Sequence, residues 1–489
     1  MRASGILLPI ASLPGPYGIG TLGKAAYQWI DFLQQAKQKY WQVLPIGPTG
    51  YGDSPYQSFS AFAANPYFID LERLREQGLL TRAEIEEAQL TTAPHRIDYA
   101  RQFSARLPLL KKAANRFQTA QNGYAEFVAQ NAFWLPDYAL FMALKEENQQ
   151  RAFTKWPLSL RLRKAEVLRQ ARVRCAEQIH CRQVLQYWFY EQWTALKKYA
   201  NDRNVFIIGD IPIYVSPDSS DLWTQPSLFQ TDEKGDLTEV AGCPPDAFSA
   251  NGQLWGNPLY RWEEHQRTGY QWWINRLRYA ASVFDQVRID HFRGFSGYYA
   301  VNAKAQTAAN GHWCAGPGSE FVRSIKIALP DLKVIAEDLG YLTPDVRALL
   351  KESGFPGMKV LQFAFDSRED SDYLPHNYHR NCVVYTGTHD NTTAEDWQIS
   401  APAEDVRFAK EYIHADSGDF TRQFIRTAMA SVGDIVIIPI QDWLQLGAEA
   451  RINTPGTVGG NWTWRMLPSA ASASLARQIA EMTCLYGRA

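Results

Sequence analysis

The chain has 489 residues, of which 46% are hydrophobic and 13% aromatic, so it is long enough to bury a large core. Its 50 Lys and Arg residues are balanced by 51 Asp and Glu residues, which leaves a formal charge of −1. A chain this close to neutral has no field that would attract nucleic acid or an anionic membrane, and we expect a neutral substrate.

The cysteines and the N-terminus both point to an intracellular protein. The six cysteines form no Cys-x-x-Cys pair and no regular framework, which argues against a zinc ribbon and a disulfide scaffold. The apolar run at residues 6–10 is short, contains Pro9 and lacks a basic n-region with a cleavage site, so it does not resemble a signal peptide. No later window predicts a membrane span. We therefore expect a cytoplasmic protein with reduced thiols.

Short apolar or β-branched runs that end in polar or Gly/Pro clusters recur along the chain. They lie at residues 6–9, 41–45, 205–210, 286–290, 333–337, 358–363, 382–386 and 435–440. Such uniformly hydrophobic runs are typical of parallel strands buried on both faces. Helical patterns lie between several of them, such as the apolar stripe of Trp29, Ile30 and Leu33. The sequence therefore predicts an α/β fold, a closed (β/α)₈ barrel.

The connections between the predicted strands are very unequal in length. Residues 71–200 are rich in helix formers, and we interpret them as a mainly helical insertion within one catalytic barrel of residues 1–489. A separate all-helical domain is the alternative. Residues 211–285 are rich in Pro, Gly and Trp and are interpreted as an active-site loop insertion without packed elements. No C-terminal β-sandwich is expected after the eighth strand.

Acidic residues lie at the ends of four of the predicted strands or just after them. They occur in Gly209-Asp210, Ile289-Asp290, Ala336-Glu337-Asp338 and Thr388-His389-Asp390. The carboxyl ends of barrel strands and the loops after them face the active site, so these acids are candidate functional residues. Each acid alone can also be interpreted as a helix N-cap or as one half of a structural ion pair. Their joint occurrence at strand ends favours a functional site.

Cleavage of a glycosidic bond requires two carboxyl groups in this kind of arrangement. One carboxylate is the nucleophile and one carboxylic acid protonates the leaving oxygen, and a retaining enzyme holds them about 5–5.5 Å apart. Asp290 and Glu337 follow neighbouring strands, and the longer side chain of Glu337 suits the acid. Arg288 would share a face with Asp290 and keep it ionised. The alternative is a buried Arg–Asp pair in the barrel core.

Further motifs occur in order along nearly the whole chain. They are Gly5-Ile6-Leu7-Leu8-Pro9, Gly52-Asp53-Ser54-Pro55-Tyr56-Gln57, Asn65-Pro66-Tyr67, Gly209-Asp210-Ile211-Pro212-Ile213-Tyr214, Gly252-Gln253-Leu254-Trp255-Gly256-Asn257-Pro258, Arg288-Ile289-Asp290-His291-Phe292-Arg293-Gly294, Ala336-Glu337-Asp338-Leu339-Gly340, Thr388-His389-Asp390-Asn391, Asn453-Thr454-Pro455-Gly456 and Gly460-Asn461-Trp462. Together they closely resemble the 4-α-glucanotransferase family (amylomaltase, disproportionating enzyme). The resemblance implies an enzyme that acts on α-1,4-glucans and maltooligosaccharides without a cofactor.

The resemblance also implies roles for individual residues. Asp290 would be the nucleophile, Glu337 the acid/base, and Asp390 the carboxylate that stabilises the transition state by binding hydroxyls of a distorted donor ring. The residues that would bind substrate are Ser54, Tyr56, Asp210, Phe248, Gln253, Trp255, Arg288, His291, His389 and Asn461.

Aromatic and histidine residues in the loops have two interpretations each. Tyr56, Trp255 and Trp462 lie in polar, Gly/Pro-rich segments, where a ring can contact the C–H face of a pyranose or simply anchor a loop. His291 and His389 could suggest a metal site, but no third His or Cys lies at ligand spacing. We therefore predict no metal and interpret both histidines as donors to sugar hydroxyls.

Two positions depart from the family pattern. The family usually has an aromatic residue where this chain has Ala247, and it often has Gly where Asp396 precedes Trp397. The first departure lies in a glucan-binding loop, so we expect weaker acceptor binding, for which Phe248 compensates in part. The carboxylate trio is unaffected.

Three functions compete at this point. In the preferred one, Asp290 displaces one glucan to give a covalent glycosyl-enzyme, and a second glucan resolves it with retention. If water resolved the same intermediate, the protein would be an α-glucan hydrolase of the amylase type. The third alternative, a catalytically silent glucan-binding protein, would be favoured if any acid of the trio were replaced, and all three are present.

Overall fold

The computed structural model describes residues 2–50, 52–91, 93–119, 123–245, 251–340, 342–368, 370–415 and 418–489. The strands in this part of the chain are β1 (Ala3–Leu7), β2 (Tyr40–Gln42), β3 (Phe206–Ile211), β4 (Glu239–Cys243), β5 (Gln253–Pro258), β6 (Gln286–Ile289), β7 (Gly297–Asn302), β8 (His312–Ala315), β9 (Val334–Ala336), β10 (Gly357–Val360), β11 (Cys382–Tyr385) and β12 (Ile435–Pro439).

Eight of these described strands form a closed parallel barrel in the order β10-β11-β12-β1-β2-β3-β6-β9. The barrel closes between β9 and β10, where the Ala336 N–H donates to the Pro356 carbonyl (2.9 Å) and the Met358 N–H donates to Oδ1 of Asp338 (2.6 Å). Every predicted strand overlaps a barrel strand, although β1 begins at Ala3 rather than at Ile6. The predicted (β/α)₈ fold is confirmed.

The described helices surround the barrel. In chain order they are α1 (Lys24–Gln35), α2 (Leu71–Glu76), α3 (Arg82–Glu87), α4 (Tyr99–Arg101), α5 (Leu107–Arg116), α6 (Tyr124–Gln130), α7 (Leu135–Glu147), α8 (Leu158–Arg161), α9 (Ala165–Arg174), α10 (Ala176–Asn201), α11 (Ser220–Thr224), α12 (Trp262–Arg267), α13 (Gln271–Val283), α14 (Gly318–Ala328), α15 (Pro344–Ser353), α16 (Ala394–Ser400), α17 (Ala403–Ile413), α18 (Phe420–Ala430), α19 (Ile440–Trp443) and α20 (Ala473–Leu485). Of these, none combines the length and apolar character needed to span a membrane.

The segment 211–285 is more regular than its composition predicted. It contains β4, β5 and α13, so its interpretation as a loop without packed elements is wrong. The strands β4, β5, β7 and β8 form an antiparallel sheet in the order β5-β4-β7-β8. Trp273, Leu277 and Ala280 of α13 are buried and repeat at helical spacing, a signal that the high Trp, Gly and Pro content of the segment obscured.

The helices α2–α10 lie between β2 and β3 and contact the barrel at several points. The indole of Trp193 on α10 donates to the Val283 carbonyl (2.9 Å). The side-chain amide of Gln186 donates to the Ala64 carbonyl (2.9 Å) and accepts from the Ala64 N–H (2.8 Å). We propose that residues 71–200 are an insertion of the barrel, because buried polar contacts of this kind hold them to it.

The packed interior of the barrel lies beneath the candidate site. Its inward side chains form an apolar cluster, each at most 1% exposed, that includes Leu7, Ile208, Ile335, Met358, Val383, Tyr385 and Ile437. Gly209 lies just before Asp210, and a Cβ there would lie 2.2 Å from the Phe284 ring. This close packing fixes the path of β3 near its carboxyl end, where Asp210 lies.

Candidate active site

Asp290 directly follows β6 and is held by the arginine two residues before it. Nη2 of Arg288 donates to Oδ1 of Asp290 at 2.9 Å, and about a third of the Asp290 side chain (31%) is exposed. The Asp290 N–H donates to the Ile211 carbonyl, which ties this strand end to β3. The Asp290 carboxylate is therefore both fixed by a cation and open to a ligand.

Arg288 also binds the buried acid at the end of β3. Its Nη1 donates to both carboxylate oxygens of Asp210, at 2.8 and 2.7 Å, and both residues are at most 3% exposed. Burial works against the charge on Arg288, but Asp210 and Asp290 raise its pKa well above the ordinary value. The guanidinium therefore stays protonated and bridges two carboxylates.

Glu337 follows β9 and lies beside Asp290. Its Oε2 accepts a hydrogen bond from the N–H of His291 (2.6 Å), and its Oε1 accepts one from the N–H of Leu339 (2.7 Å). Burial and the charge of Asp290 raise the pKa of Glu337 to about 7, although Arg288 and the two N–H groups oppose the shift. A carboxyl group with this pKa can donate and accept a proton near neutral pH.

Asp390 lies in the loop after β11, and its side chain is 46% exposed. Its Oδ1 accepts a hydrogen bond from the side-chain amide of Asn453 (2.6 Å) and lies 3.4 Å from Nε2 of His389. The Asn453 N–H donates to the His389 carbonyl (3.1 Å), and Nη2 of Arg451 donates to the Asp390 carbonyl (2.8 Å). The segment around residue 453 thus holds the loop that carries Asp390.

Tyr56 connects the acid of β3 to the loop after β11. Its hydroxyl donates to Oδ2 of Asp210 (2.6 Å) and lies 3.4 Å from Nδ1 of His389. The rings of Tyr56 and His389 stack with centroids 4.9 Å apart, and the Trp462 ring lies 5.9 Å from each. Ser54 accepts a hydrogen bond from the Tyr56 N–H (3.3 Å). Together these residues build an aromatic wall with a polar edge.

The strand β5 contributes to the opposite side of the site. The indole of Trp255 meets the ring of His291 edge to face, with centroids 4.8 Å apart, and its Nε1 donates to Oε1 of Gln253 (3.1 Å). Burial and the nearby charge of Arg293 lower the pKa of His291 to about 3. His291 is therefore neutral and has one N–H to offer a ligand.

Not every residue predicted from the sequence reaches this cluster. The amide of Asn461 accepts from the Thr454 N–H (3.1 Å) and donates to Thr457, so its contacts lie within its own loop. Phe248, like Ala247, lies outside the described residues. In the other direction, the predicted site omitted Asn453 and Arg451, although Asn453 belongs to one of the motifs that carried the resemblance.

In the described part of the chain, no three His, Cys, Asp or Glu side chains come close enough together to hold a metal ion. The chemistry available at the site is that of Asp290, Glu337 and Asp390, with Arg288 as the fixed cation.

Comparisons with known proteins identify the family. A sequence model described as 4-alpha-glucanotransferase matches residues 8–470. The 4-alpha-glucanotransferase of Streptococcus pneumoniae is 46% identical over 100% of this chain and 97% of its own length, and that of Thermus thermophilus is 46% identical over 99% of each chain. The amylomaltase of Streptococcus agalactiae, solved in complex with acarbose, is 41% identical and superposes with a TM-score of 0.97 over 100% of both chains. The chain belongs to the 4-alpha-glucanotransferase family.

Proposed function

We propose that this protein moves segments of α-1,4-glucan between maltooligosaccharides by a retaining double displacement. One observation carries the proposal: Glu337, with a pKa raised to about 7, is hydrogen-bonded to the residue that follows Asp290, while Arg288 holds Asp290 itself. Two adjacent carboxyl groups with different environments are what acid and nucleophile require. The amylomaltase of Streptococcus agalactiae, which binds acarbose, supports a glucan as the ligand.

In the first step, an oxygen of Asp290 attacks the anomeric carbon of the donor glucan. The glycosidic bond breaks, Glu337 gives its proton to the leaving oxygen, and the glucan on the reducing side departs. A covalent bond now joins the donor segment to Asp290. Arg288 holds the attacking carboxylate in place through their ion pair.

In the second step, the 4-hydroxyl of an acceptor glucan attacks the same anomeric carbon from the face that the leaving group vacated. Glu337, now a carboxylate, takes the hydroxyl proton, and the bond to Asp290 breaks. Two inversions give net retention. Asp390 and His389 stabilise the distorted donor ring, and Tyr56 with Asp210 binds its hydroxyls.

The remaining residues serve substrate binding in this proposal. Trp255 and Gln253 come from residues 211–285, which we propose to be the insertion that covers the site. A neutral glucan fits the balanced charge of the chain, and no cofactor takes part. We further propose a cytoplasmic location, where maltooligosaccharides would be the partners.

Incubation of the purified protein with maltotriose tests the proposal. Transfer gives glucose together with longer oligosaccharides while the number of reducing ends stays constant. A steady rise in reducing ends would identify an α-glucan hydrolase, and no reaction with bound maltotriose would identify a binding protein. Asp290→Asn, with its fold checked by circular dichroism, is the control that excludes a contaminating enzyme.

A further inference from the structure

A buried acid outside the proposed catalytic trio lies beneath the loop that carries His389 and Asp390. Asp442 belongs to α19, which directly follows β12, and only 2% of it is exposed. Its side chain forms no hydrogen bond with Asp290 or Glu337. Its contacts are instead with the neighbouring strand end and with the helix that begins after the loop.

Asp442 binds both ends of that loop. Its Oδ2 accepts a hydrogen bond from the hydroxyl of Thr386, the residue after β11 (2.5 Å). Its Oδ1 accepts one from the N–H of Ala394, the first residue of α16 (2.8 Å). Thr386 and Ala394 are fully buried. The segment 387–393 therefore starts and ends on the two oxygens of one carboxylate.

This arrangement is more than a helix cap. Thr393 already caps α16, because its hydroxyl accepts a hydrogen bond from the Asp396 N–H (3.1 Å). No Lys, Arg or His of the described residues forms an ion pair with Asp442, and burial raises the pKa of Asp442 to about 6. A carboxylate buried without a cation costs free energy, which its two hydrogen bonds must offset.

The middle of the segment is held by other residues. The side-chain amide of Gln362 donates to the Thr392 carbonyl (2.8 Å), and Asn453 and Arg451 hold Asp390 from the far side. Gln362 also binds Thr386, because its N–H donates to the Thr386 carbonyl (3.2 Å). Among the described residues, Asp442 is the one whose side chain binds both Thr386 and Ala394. A shift at either end would therefore be passed on to the carboxylate of Asp390.

We propose that Asp442 is a positioning residue for the reaction: by fixing Thr386 and Ala394, it sets the placement of His389 and Asp390 at the donor sugar. The inference rests on the role proposed above for Asp390. It predicts losses in kcat rather than in KM, because misplacement of a group that acts in the transition state leaves substrate binding nearly unchanged.

Matched pairs of variants test the inference. Thr386→Val removes the hydroxyl at constant shape, and we expect it to lower kcat about 10- to 100-fold with little change in KM. Thr386→Ser restores the donor and should recover most of that loss. Asp442→Ala should lower kcat about as much as Thr386→Val does. Asp442→Asn keeps an acceptor for the Ala394 N–H and should lower kcat less. The control is Thr483→Val, which removes a fully buried hydroxyl that contacts Gln38, ahead of β2 at the opposite end of the barrel.

The same substitutions in an Asp390→Asn background separate positioning from general instability. With maltosyl fluoride as the donor, to keep rates measurable, Thr386→Val should add almost nothing to the loss caused by Asp390→Asn. Multiplicative losses, or an unchanged kcat in Thr386→Val and Asp442→Ala, would overturn the inference. Full activity of Asp390→Asn itself would instead refute the proposed role of Asp390.

Discussion

The backbone N–H of His291 donates a 2.6 Å hydrogen bond to Oε2 of Glu337, and this contact joins the ends of two neighbouring barrel strands. It depends on an uncommon backbone conformation, because His291 has a φ of 52° in the left-handed region. This conformation at His291, the residue after Asp290, directs the His291 N–H toward Glu337. The main chain thus fixes Asp290, the proposed nucleophile, relative to Glu337, the proposed acid/base.

The first prediction concerns the pH dependence of the reaction. Glu337 must be protonated for the first step, and burial with the charge of Asp290 raises its pKa to about 7. The kcat/KM for maltotriose should therefore fall as pH rises above about 7, by about tenfold per pH unit. Initial rates between pH 5 and 9 check this. A plateau that extends to pH 9 would contradict the assignment of Glu337 as the acid.

The second prediction separates the two steps of the mechanism. Fluoride leaves without protonation, so Glu337→Ala should still form the glycosyl-enzyme from maltosyl fluoride while it fails to cleave maltotriose. The second step lacks its base, and we expect a burst of fluoride followed by slow turnover. Azide needs no base and should accelerate that turnover. Equal losses on the two donors would show that Glu337 does not supply the proton.

A third prediction follows from the pairing of Arg288 with two acids. Arg288→Met leaves Asp210 and Asp290 without their cation, and loss of one partner from a buried ion pair costs about 3–5 kcal/mol. Unfolding by urea should show a destabilisation of this order, and Asp210→Asn in the same chain should restore part of it. Arg169→Met, in an exposed pair with Glu166, is the control and should change the stability far less, because solvent screens an exposed pair. Similar effects of the two substitutions would contradict the buried network.

The fourth prediction concerns Asn453, whose side-chain amide donates to Oδ1 of Asp390. Asn453→Ala should lower kcat about 10- to 100-fold, because Asp390 would lose the donor that orients its carboxylate. Asn148→Ala, which removes an amide at the end of α7, should leave kcat unchanged. A change confined to KM would mean that Asn453 serves only to bind substrate.

The barrel and the positions of its acids were predictable because both leave a pattern in the sequence. Uniformly apolar strands repeat eight times, and an acid at the end of such a strand must lie at the carboxyl end of the barrel. Asp210, Asp290 and Glu337 all follow from this rule. The cation that binds Asp290 could be anticipated too, since Arg288 lies two residues before it in the sequence.

Other parts of the site left no such pattern. Asn453 is uncharged and its contact with Asp390 joins distant parts of the chain, so only the fold reveals it. Asn461 was expected at the substrate because its motif resembles the family, yet its amide is occupied by Thr454 and Thr457. The helix α13 was hidden because aromatic and small residues within a Pro- and Gly-rich segment blur helical periodicity.

Capture of the glycosyl-enzyme tests the central proposal most directly. Glu337→Gln is incubated with maltosyl fluoride, quenched in acid, and examined by intact and peptide mass spectrometry. We predict one maltosyl group per chain, attached to the peptide that contains Asp290, and none when Asp290→Asn is also present. Attachment to another residue, or turnover of the donor without any covalent adduct, would contradict a double displacement through Asp290.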